Sequence, residues 1–184
     1  MTPPAPLLTL EPLVEAVREG VEGVDRWALS GLQKTTSHEF EGRWAGDSTR
    51  SAYLFFHRAG EKRASLDVFL DETSRGLRGN LALVLDLADA ASLPDTDEML
   101  RALAALAAAH LPSGYRTPVV LRYRLADAAH ELSPAPEAEA RIKLAIPGAA
   151  FDAGAAAVTT LASISVKAFG ALLADPDAAT LLTN

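Results

Sequence analysis

Between Val24 and Leu87 the chain carries five short apolar runs set so close together that no helix fits between them. From Val24 to Leu32, Trp27 and Leu29 alternate with Ala28 and Ser30. From His38 to Trp44, Phe40 and Trp44 alternate with Glu39, Glu41 and Arg43. Ala52 to Phe56 is continuously apolar, as a central strand would be. Leu66, Val68 and Leu70 then repeat at every second residue, and so do Leu81, Leu83, Leu85 and Leu87. A period of two is the mark of a strand with one buried face. The gaps are short and polar: Lys34-Thr35-Thr36, Gly46-Asp47-Ser48, Gly60-Glu61-Lys62 and Thr73-Ser74-Arg75-Gly76. Parallel neighbours need a crossover of a dozen residues or so, and none is present, so the runs predict an antiparallel meander.

Helical spacing flanks this block. Leu10, Leu13, Val14, Val17 and Val21 recur on one face, with Pro12 in the first turn and Gly20 and Gly23 marking the end. A middle helix opens after Pro94, where Asp95 and Glu98 have the spacing of a capping box. Leu100, Leu103, Leu106 and Leu111 supply its apolar side, and Pro112 and Gly114 close it. Two strands follow, one through Val119, Leu121, Tyr123 and Leu125, the other through Ile142, Leu144 and Ile146. A last helix runs from about Ala155 to Leu173 and stops at Asp175-Pro176. The predicted fold is α+β, in the order helix, meander, helix, two strands, helix. Residues 1–8 form a proline-rich lead, and 9–184 form one domain.

The chemistry that such a fold could carry is limited by what the chain contains. It has no cysteine, which removes disulfides, thiol nucleophiles and thiolate metal sites and leans towards a reducing cytoplasm. Met1-Thr2-Pro3-Pro4-Ala5-Pro6 has neither the cation nor the apolar core of a secretion signal. Ala149 to Ala174 is apolar but rich in alanine, too weak to span a bilayer, so no membrane association is expected. The four histidines, His38, His57, His110 and His130, never stand at helical metal-binding spacing. His110 suits a helix C-terminus instead. Asp67 and Asp71 share a strand face, but acids in a strand leading to a turn are expected to be solvated. Ser30-Gly31 and Ser113-Gly114 lack a nucleophile elbow, and Gly76-Leu77-Arg78-Gly79 is not a phosphate loop. Arg116, Arg122 and Arg124 form the best basic cluster, without an aromatic beside it to stack a base. With a net charge of −7, direct nucleic-acid binding is not expected, and neither is a metal or a cofactor.

The less ordinary feature is the middle helix, which has no charged or polar residue from Ala102 to Ala109. A surface helix keeps a polar face. The last helix has only Lys167 as a charge between Gly154 and Ala174. Either the two helices cover each other, or a second molecule covers them. The second possibility predicts a homodimer or protein partner meeting Met99, Leu103, Ala105, Leu106, Ala109 and His110. Acids such as Glu39, Glu41, Asp71 and Glu72 would steer a partner with a basic surface, for instance a protein that handles nucleic acids. The alternative is a small-molecule or lipid pocket between sheet and helix.

The order of these elements over roughly residues 9–174, with the small size, acidity and lack of cysteine, resembles the YbjN-like family and the type III secretion chaperone fold. That resemblance implies a cytoplasmic dimer that holds other proteins and does no catalysis. The chain departs from the simplest form of that pattern, which has about three strands before the middle helix rather than five.

Overall fold

A computed structural model describes residues 8–37, 49–87, 96–124 and 137–183. Among them are α1 (Leu10–Glu22), β1 (Trp27–Ser37), β2 (Thr49–Arg58), β3 (Ala64–Thr73), β4 (Gly76–Asp86), α2 (Thr96–His110), β5 (Val120–Arg124), β6 (Glu137–Ala145), α3 (Gly148–Ala153), α4 (Ala155–Leu173) and α5 (Pro176–Thr183). The strands form one antiparallel sheet in the order β1-β2-β3-β4-β6-β5. The expected α+β class and meander are therefore present. The alternating segment from His38 to Trp44, and Asp95 of the expected capping box, lie outside the described residues.

The period-two pattern sends Leu54, Phe56, Leu66, Val68, Leu70, Leu81, Leu83, Ile142 and Leu144 to one face of the sheet, where all are buried. They share a single core with the apolar faces of α1, α2 and α4 and with Ala178 and Leu182 of α5. Phe56 and Phe169 are its largest fully buried side chains. The layer in which a ligand pocket was the alternative reading thus holds packed side chains.

α1 and α4 touch through small residues. Gly20 is buried within α1, and a Cβ placed there would lie 2.4 Å from the Thr159 carbonyl oxygen and 2.8 Å from Ala162 Cβ. The Thr159 hydroxyl donates to the Ala16 carbonyl at 3.0 Å, joining the helices at the same place. The start of α1 is held from the sheet: Glu72 accepts from the Leu10 N–H at 2.7 Å, where a carboxylate favours a helix N-terminus. Arg50 bridges Glu72 and Glu11 at 2.8 and 2.6 Å.

α4 is long and apolar enough, by length and composition, to cross a membrane. In this fold its Val158, Ala162, Val166, Phe169 and Leu172 are buried, while Ile164 on another side is 52% exposed. Two short helices were not expected. α3 follows Pro147, and α5 begins at Pro176, where Asp175 Oδ1 accepts from the Asp177 N–H at 2.9 Å. The expected stop at Asp175-Pro176 ends one helix and starts the next, because proline is tolerated in a first turn.

The six residues expected to meet a partner on α2 are divided by the structure. Met99, Leu103 and Leu106 are buried in the chain's own core, so they do not form an outward surface. α2 lies against α4 and α5, much as the covering of one helix by the other required. Ala105 and Ala109 are exposed. His110 is half-buried, with Nε2 at 2.7 Å from Asp175 Oδ2, which ties the end of α2 to the α4–α5 corner.

Candidate binding face

The second face of the sheet carries no part of the main core cluster. Strand alternation fills it with a different chemistry. From β2 come Ser51, Tyr53, Phe55 and His57, and from β3 Ser65, Asp67, Phe69 and Asp71. β4 adds Arg78, Asn80, Ala82 and Val84, and β6 adds Arg141, Lys143 and Ala145. Tyr53 and Phe69 are cross-strand partners with ring centroids 5.0 Å apart at 48°, a tilted contact of the favourable kind. Tyr53 is 37% exposed. A bulge in β1 places Gly31 opposite Phe55, whose Cδ2 lies 3.3 Å from where a Gly31 Cβ would be, so the ring packs over the glycine. Asn80 and Gln33 continue the aromatic row on either side.

Closed ion pairs surround the rings. Asp71, expected to be a solvated steering acid, is only 4% exposed. It accepts from the Ser51 hydroxyl and from Arg78 Nη2 at 2.7 Å. Glu72 is likewise engaged, by Arg50 and the α1 N-terminus. Neither acid is free to steer a partner, because each is a structural anion holding a cation or a helix end. Glu39 and Glu41 lie outside the described residues. Arg141 bridges Asp67 at 3.0 Å and Glu139 at 2.8 Å. Burial lowers the Arg141 guanidinium, but Glu139 and Asp67 together hold it above its usual value.

Asp67 is raised above the ordinary aspartate value, with burial the largest cause and the Arg141 charge opposing it. An acid whose folded pKa lies above its unfolded one adds stability that is fully present below the unfolded value and is lost as pH rises through the folded one. Asp67→Asn removes that loss. The stability difference, variant minus wild type, is therefore expected to grow in urea unfolding as pH rises above the ordinary aspartate value of about 3.9. A pH-independent difference would show that Asp67 carries no such penalty.

One pair on this face invites a catalytic reading. His57 Nδ1 lies 2.8 Å from Ser30 Oγ. The Ser30 hydroxyl also lies 3.0 Å from the Phe55 carbonyl oxygen. Which of Nδ1 and the Phe55 carbonyl takes the hydroxyl proton depends on the imidazole tautomer. The pair pins the β1 bulge to β2. Among the described residues, no group of three or more potential ligands is placed to hold a metal ion.

The aromatics of this face went unremarked in the sequence because Ala52–Phe56 reads as one apolar run. The usable signal is that Tyr53 and Phe55 fall out of phase with Ala52, Leu54 and Phe56, as Phe69 does with Val68 and Leu70. No protein-family model, curated protein or solved structure matches the chain.

Proposed function

We propose that this chain is a non-enzymatic binding protein, a homodimer that holds a protein partner in the manner of a chaperone. The observation that carries the reading is the one-sided layering: the core helices pack on one face of the sheet, and the other face presents Tyr53, Phe55 and Phe69 inside a rim of closed ion pairs. An apolar centre with a polar rim is the anatomy of a protein interface. The order of elements, which resembles that of secretion chaperones, supports the same reading.

The partner's chemistry follows from charge. The chain carries −7, and the outer side of α1 exposes Glu15 and Glu19. These acids take the steering role that Asp71 and Glu72 cannot fill. The partner presents a basic surface, such as that of a protein that handles nucleic acids, and the nucleic acid itself is not bound. The test uses an aggregation-prone client of basic isoelectric point, with an acidic client as control. Light scattering of the basic client is expected to fall in the presence of this protein. The association rate is expected to drop about tenfold between about 50 and 300 mM sodium chloride, as the screening length shortens. Glu15→Lys with Glu19→Lys should slow association at low salt and leave the circular dichroism spectrum unchanged. Equal protection of both clients, or a gel shift with an oligonucleotide at physiological salt, would refute the charge-based assignment.

A further inference from the structure

The two halves of the open face are complements of each other. Its four inner strands stand in the order β2-β3-β4-β6. Across the boundary between β3 and β4, register sets Asp71 level with Arg78 and Phe69 level with Asn80. One strand further out on each side, Tyr53 is level with Ala145, and Phe55 is level with Lys143. The β2–β3 side is therefore bulky and acidic at the levels where the β4–β6 side is small and basic.

We infer that this face docks a second copy of the chain, sheet against sheet, about a two-fold axis running along the strands between β3 and β4. The proposal rests on the homodimer reading above and adds its surface and symmetry. Such an axis lays β3 over the partner's β4 and β2 over its β6 and keeps each residue at its own level. The exposed guanidinium of Arg78 then lies over the partner's Asp71–Arg78 pair, while Asp71 itself stays buried in its own chain. Arg78 is suited to this, since its side chain is 69% exposed although it already reaches Asp71. Phe69 falls on the partner's Asn80 and Tyr53 on the partner's Ala145, large side chain against small, as interdigitation between stacked sheets requires. Phe55 falls on the partner's Lys143, a ring under a cation. At the levels of Asp71, Phe69 and Asp67, no like charge is set against like charge. A nucleic-acid strand would instead leave Asp67, Asp71 and Glu139 facing phosphate, which makes it the poorer occupant.

The absence of cysteine makes the test direct, because one introduced thiol reports one position. Asn80 lies beside the proposed axis, and stacked sheets are about 10 Å apart, so its two copies sit within reach of a short bis-maleimide. Ala105 lies on the exposed side of α2 and serves as the contrast. Light scattering of the wild type at tens of micromolar is expected to give the dimer mass. Asn80→Cys should cross-link into a covalent dimer, and Ala105→Cys should not. Tyr53→Lys should raise the dimer dissociation constant at least about tenfold with the fold intact, as loss of a central aromatic anchor does. A monomeric wild type overturns both this inference and the homodimer reading. A dimer that cross-links through Ala105→Cys, or at neither position, overturns the face and leaves the homodimer standing.

Discussion

Leu106→Glu is expected to unfold the protein rather than to release a folded subunit. Leu106 is 6% exposed and belongs to the main core cluster, on the side of α2 that also buries Met99, Leu103 and Ala107. Removing a buried leucine costs about 2–5 kcal/mol by itself. A carboxylate put in its place must lose its hydration without a partner or bind a proton, at a further cost of several kcal/mol. The sum approaches the total stability of a typical domain, about 5–15 kcal/mol. The expected result is loss of the cooperative thermal transition, or a Tm lowered by more than about 15 °C, followed by circular dichroism. Ala105→Arg, one residue earlier and exposed, should stay within about 0.5 kcal/mol of the wild type. A well-folded Leu106→Glu protein with an unchanged melting point would mean that α2 turns this side outward.

That contrast shows what the sequence could and could not reveal. The strands were legible because period-two runs separated by short polar gaps leave a chain few alternatives; the runs among the described residues fold as an antiparallel sheet, although Lys34-Thr35-Thr36, expected as a gap, continues β1. The all-apolar stretch Ala102–Ala109 was legible as a helix but not as a surface. Its outward positions, Ala104, Ala105, Ala108 and Ala109, are alanines, which expose little apolar area and are the best helix formers. Counting them with leucine made the helix look as if it needed covering on all sides. Asp71 and Glu72 looked solvated because they precede a turn. Ser51 and Arg50 reach them through the pairing of β2 with β3, Arg78 through the β3–β4 hairpin, and Leu10, 62 residues away, through the docking of α1. The candidate face was half legible, since the alternation fixes which residues share it. Which acids and cations pair across that face depends on the register between strands, which no local pattern encodes.

Gly20 shows the same limit with a large expected effect. In the sequence it serves as an end signal for α1, together with Gly23. In the structure Gly23 is the C-cap, and Gly20 lies a turn inside the helix at its contact with α4. A mid-helix glycine costs roughly 1 kcal/mol of helix propensity relative to alanine, so an exposed one would be improved by substitution. Here the added Cβ would meet a backbone oxygen, that of Thr159, at 2.4 Å, and backbone cannot rotate aside as a side chain can. α4 would have to move away, breaking the Thr159–Ala16 hydrogen bond and loosening Ala162 against α1. Overpacking of this kind costs about 1–3 kcal/mol for a single added group, enough to cancel the propensity gain. Gly20→Ala should therefore destabilise the protein modestly. Gly20→Val adds two methyl groups and a β-branch in the same place, and a loss of about 3 kcal/mol or more is expected. Gly114→Ala is the control, since nothing lies within 4 Å of its Cβ position, and it should be close to neutral. Urea unfolding of the three variants checks the order. A Gly20→Ala protein more stable than the wild type would show that α1 and α4 are not in close contact at this position.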